Sequence, residues 1–348
     1  MANEDFVKKA KDLQNILIKM EKTEIHLHLE GLVTADTIWT LMNKHKLQYS
    51  GINSKHDIKN KFKVKNLSEF LDLYINVVQN SFKTEEDIEL LIRDAQTYLK
   101  TDNIVYAEIF FAPSKFLKMG LDYGLMMEIL TEGSRALKDK SGIEVKFIVD
   151  VSRSFGVENA MNNLDLLLKH RVPPVIGIGL GGSEKDGPPE MFTGVFEKAR
   201  ENGLRTVVHA GEDVGPESVW NALKHLKAER IGHGISSILD EKLMEYLAES
   251  RIPLEVCPTS NLFTRKYVTA IEDHPVKKFY ERNMYVTINS DDPTLFSTSL
   301  VDEYMLLFNH GIFTKEEILQ LVKNNIDATF LTPEDKTDIW ERNKKIIG

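Results

Sequence analysis

The chain has 348 residues, of which 28% are charged and 42% hydrophobic, and its formal net charge is −9. That length fits one large α/β barrel or two smaller domains and can bury roughly 75% of the unfolded surface without staples. The acidic balance excludes a general nucleic-acid binder. No apolar run approaches a membrane span, and the single cysteine, Cys257, cannot form an internal disulfide, which fits a reducing, cytoplasmic setting.

Residues 1–20 are not a signal peptide, because Glu4, Asp5, Lys8, Lys9, Lys11, Asp12 and Lys19 interrupt any apolar core. Phe6, Ala10, Leu13, Ile16, Leu17 and Met20 recur at helical spacing, so the segment reads as an amphipathic helix packed beneath the fold. Thr23-Glu24-Ile25-His26-Leu27-His28-Leu29-Glu30-Gly31 then alternates polar and apolar residues up to a glycine, the pattern of a strand. Residues two apart on a strand share a face, so His26 and His28 point the same way. Two neutral imidazoles side by side suit a metal ion such as zinc; the competing reading is a polar face with two hydrogen-bonded histidines.

Thr34-Ala35-Asp36 opens a helix to about His45, residues 48–66 show no clear period, and Asn66 to Arg93 reads as helical. On that last helix Leu67, Phe70, Leu71, Tyr74, Val77 and Val78 share a stripe, which reads first as core and second as a lid. Strands follow at Ile104–Phe111, Val145–Val151, Val175–Leu180, Arg205–Ala210, Arg230–Gly234, Pro253–Pro258 and Met284–Ser290, nearly all separated by helical segments. Eight strands alternating with helices imply a parallel sheet closed as a (β/α)₈ TIM barrel in a single domain over 1–348. Extra helices are expected at the N-terminus, between the first two strands and at the C-terminus. No linker, internal repeat or low-complexity segment stands out.

Barrel chemistry sits at the C-terminal ends of the strands. Those ends carry His26, His28 and Glu30; His209-Ala210-Gly211-Glu212; His233-Gly234; Cys257 to Asn261; and Ser290-Asp291-Asp292-Pro293. Three histidines and a carboxylate can meet on one cation there, leaving His233, Glu212 and a second aspartate for acid–base work. The histidines at 45, 56, 170, 225, 274 and 310 fall in helices or loops and read as surface or structural. Taken alone, Asp291-Asp292-Pro293 is equally a capped turn, His209 with Glu212 equally a structural pair, and Cys257 reads as buried filler. The cytidine-type zinc deaminases need a Pro-Cys-x-x-Cys pair, which a chain with one cysteine cannot supply. Gly177-Ile178-Gly179-Leu180-Gly181-Gly182 matches a dinucleotide fingerprint, but a loop follows instead of a helix and the next strand-end acid, Glu212, is too distant. Those glycines read instead as letting a flat ligand approach the backbone.

His26-x-His28, His209-Ala210-Gly211-Glu212, Gly232-His233-Gly234 and Ser290-Asp291-Asp292-Pro293, in this order on these strands, resemble the adenosine deaminase family from about Lys22 to about Asp335. The resemblance implies one zinc ion per chain on His26, His28, His209 and Asp291. It implies that Glu212 protonates purine N1 and that His233 orients the metal-bound water and assists its deprotonation. It implies Asp292 as the partner of N7, Gly182 as a backbone donor to N3, and Phe70, Leu71 and Tyr74 as an apolar lid over a sugar. Asp292 donates to N7 if protonated and otherwise requires a proton on N7. The implied reaction is zinc-dependent hydrolytic deamination of adenosine to inosine and ammonia, with a small 6-aminopurine as the partner and neither nucleic acid nor membrane. Adenosine-specific members carry Asp where Glu30 stands, near the ribose 5′-hydroxyl, and a more acidic stretch where Gly179 to Glu184 stands. Those segments look more like bacterial relatives acting on 6-aminodeoxyfutalosine in menaquinone synthesis or on adenine, which is the alternative substrate reading. A silent binding protein with a structural zinc leaves Glu212, His233 and Asp292 without a reason to sit together. Iron or manganese also suits such a donor set.

Overall fold

The computed structural model describes residues 2–64 and 67–347, with the side chains of residues 2, 3, 67, 68 and 71 outside that description. Eight strands run in chain order in one sheet: β1 (Lys22–His28), β2 (Ile104–Phe111), β3 (Glu144–Asp150), β4 (Val175–Leu180), β5 (Arg205–Ala210), β6 (Arg230–His233), β7 (Leu254–Val256) and β8 (Val286–Ile288). Every neighbouring pair is parallel. The ring closes just beyond β8, where Leu27 bridges Asp291. There the His28 N–H donates to the Asp291 carbonyl at 3.1 Å and the Asp291 N–H to the His26 carbonyl at 3.1 Å. Closure therefore carries Asp291 directly against the two histidines of β1.

Alternate residues along each strand face the barrel axis. At the bottom the Arg230 guanidinium lies over the Phe330 ring at 4.0 Å and pairs with Glu108 and, at 2.6 Å, with Glu255. Above them sit Phe110, Ile148 and Val207, all 0% exposed. The Phe110 ring in turn lies 5.1–5.2 Å from the rings of His26, His28 and His209, forming an apolar floor beneath them. The other faces of the strands pack on the surrounding helices in one continuous apolar cluster.

Several local expectations change. Residues 48–66 include a short helix, Lys55–Lys61, started by the Ser54 hydroxyl accepting from the Asp57 N–H; of its own residues only Ile58 is buried, so no period was visible. The stretch from Asn66, which lies outside the described residues, to Arg93 is not one helix. Leu67–Leu73 passes into a π-helical Tyr74–Gln79, a turn at Glu85–Asp87 follows, and Ile88–Thr101 begins anew. The break is held by buried Asp87, which accepts from the Lys83 and Thr84 N–H groups and pairs with Lys44 and His45. Glu30 lies beyond β1, in a 3₁₀ turn. The N-terminal helix Ala2–Lys19 buries Leu13 and Leu17, but Phe6 stays 39% exposed while stacking on Phe308. Among the described residues no helix is long and apolar enough to cross a membrane.

Removing one partner of a buried ion pair strands the other charge. Arg230→Met leaves Glu108 and Glu255 unpaired inside the barrel, and chemical denaturation is expected to show a loss of about 3–5 kcal/mol.

Candidate active site

Strand ends, not loops alone, deliver the polar side chains to the barrel mouth. His26 comes from β1, and its Nδ1 lies 2.7 Å from Glu255 Oε2 on β7. A carboxylate only accepts, so Nδ1 carries the proton and the Nε2 lone pair faces the mouth, where it is buried without a protein partner. His28 Nε2 stands 3.2 Å from His209 Nε2 and 3.2 Å from Asp291 Oδ1; His26 Nε2 is 3.7 Å from that same oxygen. Ligands at about 2.0–2.1 Å around a tetrahedral zinc lie roughly 3.4 Å apart, so this donor set matches one ion. Burial lowers the pKa of His28, but its hydrogen bond to Asp291 and the charges of Asp291 and Asp150 outweigh that and raise it, so the cradle favours positive charge. Burial alone would raise Asp291, yet His28 and the surrounding imidazoles hold it well below the carboxylate range. Cys257 Sγ lies within 4.8 Å of ligand atoms of His26 and Asp291, but burial keeps it a thiol, in keeping with its reading as filler.

Two of these positions are held in the left-handed region, His233 at φ 62° and Asp291 at φ 66°, a conformation that non-glycine residues keep only under constraint from their surroundings. Gly232 has its own reason: a Cβ there would stand 2.7 Å from the His26 ring, so only glycine lets His26 and His209 approach. Two glycines of β4 also have a packing reason. A Cβ at Gly177 would meet the Arg205 carbonyl at 2.6 Å, and one at Gly179 the Phe110 ring at 2.6 Å.

The acid–base groups surround the cradle. His233 Nε2 lies 3.4 Å from Glu212 Oε2 and 4.0 Å from Asp291 Oδ2. Burial, then the charges of Asp291 and Glu184, push Glu212 well above the carboxylate range. Burial and the neighbouring Asp291 charge do the same to Asp292. Both carboxyls are therefore held as donors. Glu30 is 0% exposed; the Ala112 N–H reaches one of its oxygens at 3.3 Å and the other has no partner, and burial raises its pKa to about 7. Phe70 stacks on Phe296 at 4.9 Å and lies 5.5 Å from Tyr74, whose hydroxyl is held protonated chiefly by burial. The Leu71 side chain lies outside the described residues. Gly182 stands at the end of β4 with φ 96°.

Sequence reasoning missed the residues behind this arrangement. Glu184 accepts from the N–H groups of Gly211, Glu212 and Asp213, each at 2.8 Å, and from Ser218 Oγ, so one carboxylate shapes the turn carrying Glu212. Buried Arg153 grips the other side of that turn through the carbonyls of His209, Leu180 and Gly187. Asp150, at the end of β3, accepts from the Ser152 and Gly181 N–H groups. His274, read as structural, reaches Asn261, which reaches His233. A signal existed for Glu255 and Glu108: each is a lone carboxylate in an apolar strand, and a buried charge demands a partner.

A parallel barrel with three imidazoles, a carboxylate and a raised-pKa acid at its C-terminal mouth defines a metal-dependent hydrolase. The family model for adenosine deaminase matches residues 21–346, and the chain belongs to that family. It is a hydrolase of carbon–nitrogen bonds of the deaminase type. The chain is 35% identical over 331 residues to an aminodeoxyfutalosine deaminase of Streptomyces avermitilis, covering 94% of this chain and 92% of that one. It is 33% identical over 328 residues to an adenine deaminase of Crocosphaera subtropica, covering 94% and 99%. A solved adenine deaminase from Arthrobacter aurescens superposes with a TM-score of 0.89 at 27% identity, over 94% of this chain and 99% of that chain.

Partners that orient a metal-binding histidine tune affinity. Glu255→Gln is expected to weaken metal binding roughly tenfold in competition with a chromophoric chelator, and to lower stability as well because Arg230 loses one of its two carboxylates.

Proposed function

We propose that the protein hydrolyses the C6 amino group of a 6-aminopurine, with zinc on His26 Nε2, His28 Nε2, His209 Nε2 and Asp291 Oδ1. The observation that carries this reading is the convergence of those four atoms beside an acid, Glu212, held protonated in a buried site. What zinc supplies there is a water acidified toward a pKa of about 7. Glu212 gives its proton to ring N1 as oxygen adds to C6, which removes the charge that the addition would place on the ring. Asp292, held protonated, donates to N7 and draws electrons the same way. His233 orients the attacking oxygen. In the balance, water oxygen bonds to C6 and the C6–amino bond breaks. The proton on N1 comes from Glu212, one of the water's protons restores Glu212, and the other goes to the departing nitrogen, which leaves as ammonia.

Gly182 N–H serves N3, and Phe70 and Tyr74 form an apolar lid on the N9 side of the purine. Glu30, with one carboxylate oxygen unpaired, serves the N9 side. Aminodeoxyfutalosine is the first substrate reading, supported by relatives of that name at 35% and 34% identity. Free adenine is the second, supported by the Arthrobacter adenine deaminase structure and by Glu30, which an N9–H would satisfy. Adenosine, the substrate first implied by the sequence resemblance, ranks third.

Steady-state assays of the zinc-loaded protein separate the three, because specificity is a ratio of kcat/KM values. The expected order is aminodeoxyfutalosine, adenine, adenosine; adenosine at the head of it would overturn the substrate assignment. Glu212→Gln is expected to lower kcat by roughly 10²–10⁴-fold with zinc content unchanged, and wild-type turnover in that variant would remove Glu212 as the proton donor.

A further inference from the structure

Four imidazoles crowd the barrel mouth, with ring centroids of His26, His209 and His233 only 4.5–5.4 Å apart, yet His233 stands outside the ligand set. The difference lies behind the rings. His26 backs onto a carboxylate, which accepts the Nδ1 proton and frees Nε2. His233 backs onto an amide, and the orientation of that amide follows from a backbone group two residues away in the relay.

The relay starts at Val276, whose backbone N–H donates to His274 Nδ1 at 3.1 Å. A backbone N–H can only donate, so His274 Nδ1 is unprotonated and the neutral ring carries its proton on Nε2. Burial, which drives the His274 pKa down to about 3, keeps the ring neutral. Its Nε2 lies 3.3 Å from Asn261 Oδ1, which must therefore be the accepting end of the amide. The other end, Asn261 Nδ2, lies 3.2 Å from His233 Nδ1 and donates to it. Asn261 and His274 are 0% and 5% exposed, so no solvent competes for these bonds. On the side facing the mouth His233 Nε2 lies 3.4 Å from Glu212 Oε2 and 4.0 Å from Asp291 Oδ2, so the tautomer is set by the relay behind the ring.

We infer that Asn261 and His274 are positioning residues that lock His233 in the Nε2–H tautomer, so that it meets the attacking water as a hydrogen-bond donor and is barred from serving as a metal ligand. A neutral ring with its proton on Nε2 has no lone pair there to coordinate an ion. Two opposite tautomers are thus imposed at one mouth by two kinds of buried partner, the Glu255 carboxylate behind His26 and the Asn261 amide behind His233. The placement of His233 at the attacking water rests on the proposed function; the tautomer itself does not.

The test is a long-range ¹⁵N–¹H correlation spectrum of protein labelled in its histidines, taken zinc-loaded and after chelator treatment, with His233 assigned by the signals lost in His233→Gln. The wild type is expected to show His233 protonated at Nε2 and bare at Nδ1 in both forms. Asn261→Asp puts an acceptor behind the ring and is expected to move the proton to Nδ1 and lower kcat about 10²-fold, the loss seen when one preorganised donor is removed, with KM and zinc content little changed. His274→Leu leaves the amide free to turn and is expected to give a mixture of the two tautomers. A wild-type His233 protonated at Nδ1 overturns the inference whether or not the variants fold. So does a folded Asn261→Asp or His274→Leu that keeps the Nε2–H form unchanged. These signals are read without substrate, so a failure of the deaminase assignment would appear in turnover and leave the ring assignments untouched.

Discussion

The side chain on which the rest of the structure depends is Glu255, buried on β7 between the bottom and top of the barrel. One of its oxygens meets the Arg230 guanidinium and the other accepts from His26. Burying three charged groups, Glu108, Arg230 and Glu255, is unfavourable unless each is paired, and here the pairing leaves a single acceptor directed upward at the ring that must present a lone pair. The charge layer that fills the barrel is therefore the same device that prepares the metal cradle. Phe110, Ile148 and Val207 separate the two levels elsewhere, so the connection runs through one residue.

Protonation at the mouth is divided by the same kind of physics. Five of the carboxyls there show how their surroundings sort them. Asp291, among imidazoles, stays ionised, as a ligand must. Glu212, half-buried, and Asp292, buried, are both pushed above the carboxylate range beside Asp291 and can donate. Glu184 is wrapped by donors of the 211–213 turn and gives that turn its shape. Glu30 is buried with one oxygen unpaired. Low dielectric and a fixed neighbour, rather than residue type, assign the roles.

Much of this was legible in the chain. Eight strand patterns separated by helical ones specified a parallel barrel, because short apolar strands and crossover helices admit few other arrangements. His26 and His28, Asp291, His209 with Glu212, and His233 were all readable from their places at strand ends. The insert was less legible: a π-helical turn at Tyr74 and a break held by Asp87 have no hydrophobic period of their own. Cys257 is buried, in keeping with its reading as filler, and Gly177 and Gly179 leave no room for a Cβ beside Arg205 and Phe110.

Local sequence determined which side chains stand at the mouth, since strand period and strand end are properties of a few consecutive residues. It could not decide what stands behind them. Glu255 lies 229 positions from His26, and Glu184 28 from the Glu212 amide it holds. His274 speaks to His233 only through Asn261. Those pairings exist because barrel closure brings β1 against Asp291 and β7 against β6, and they set tautomer and charge state. Which histidine can bind a metal, and which acid keeps its proton, are therefore tertiary facts: a proton's position depends on the partner facing it and on the exclusion of water, and neither is encoded within one element.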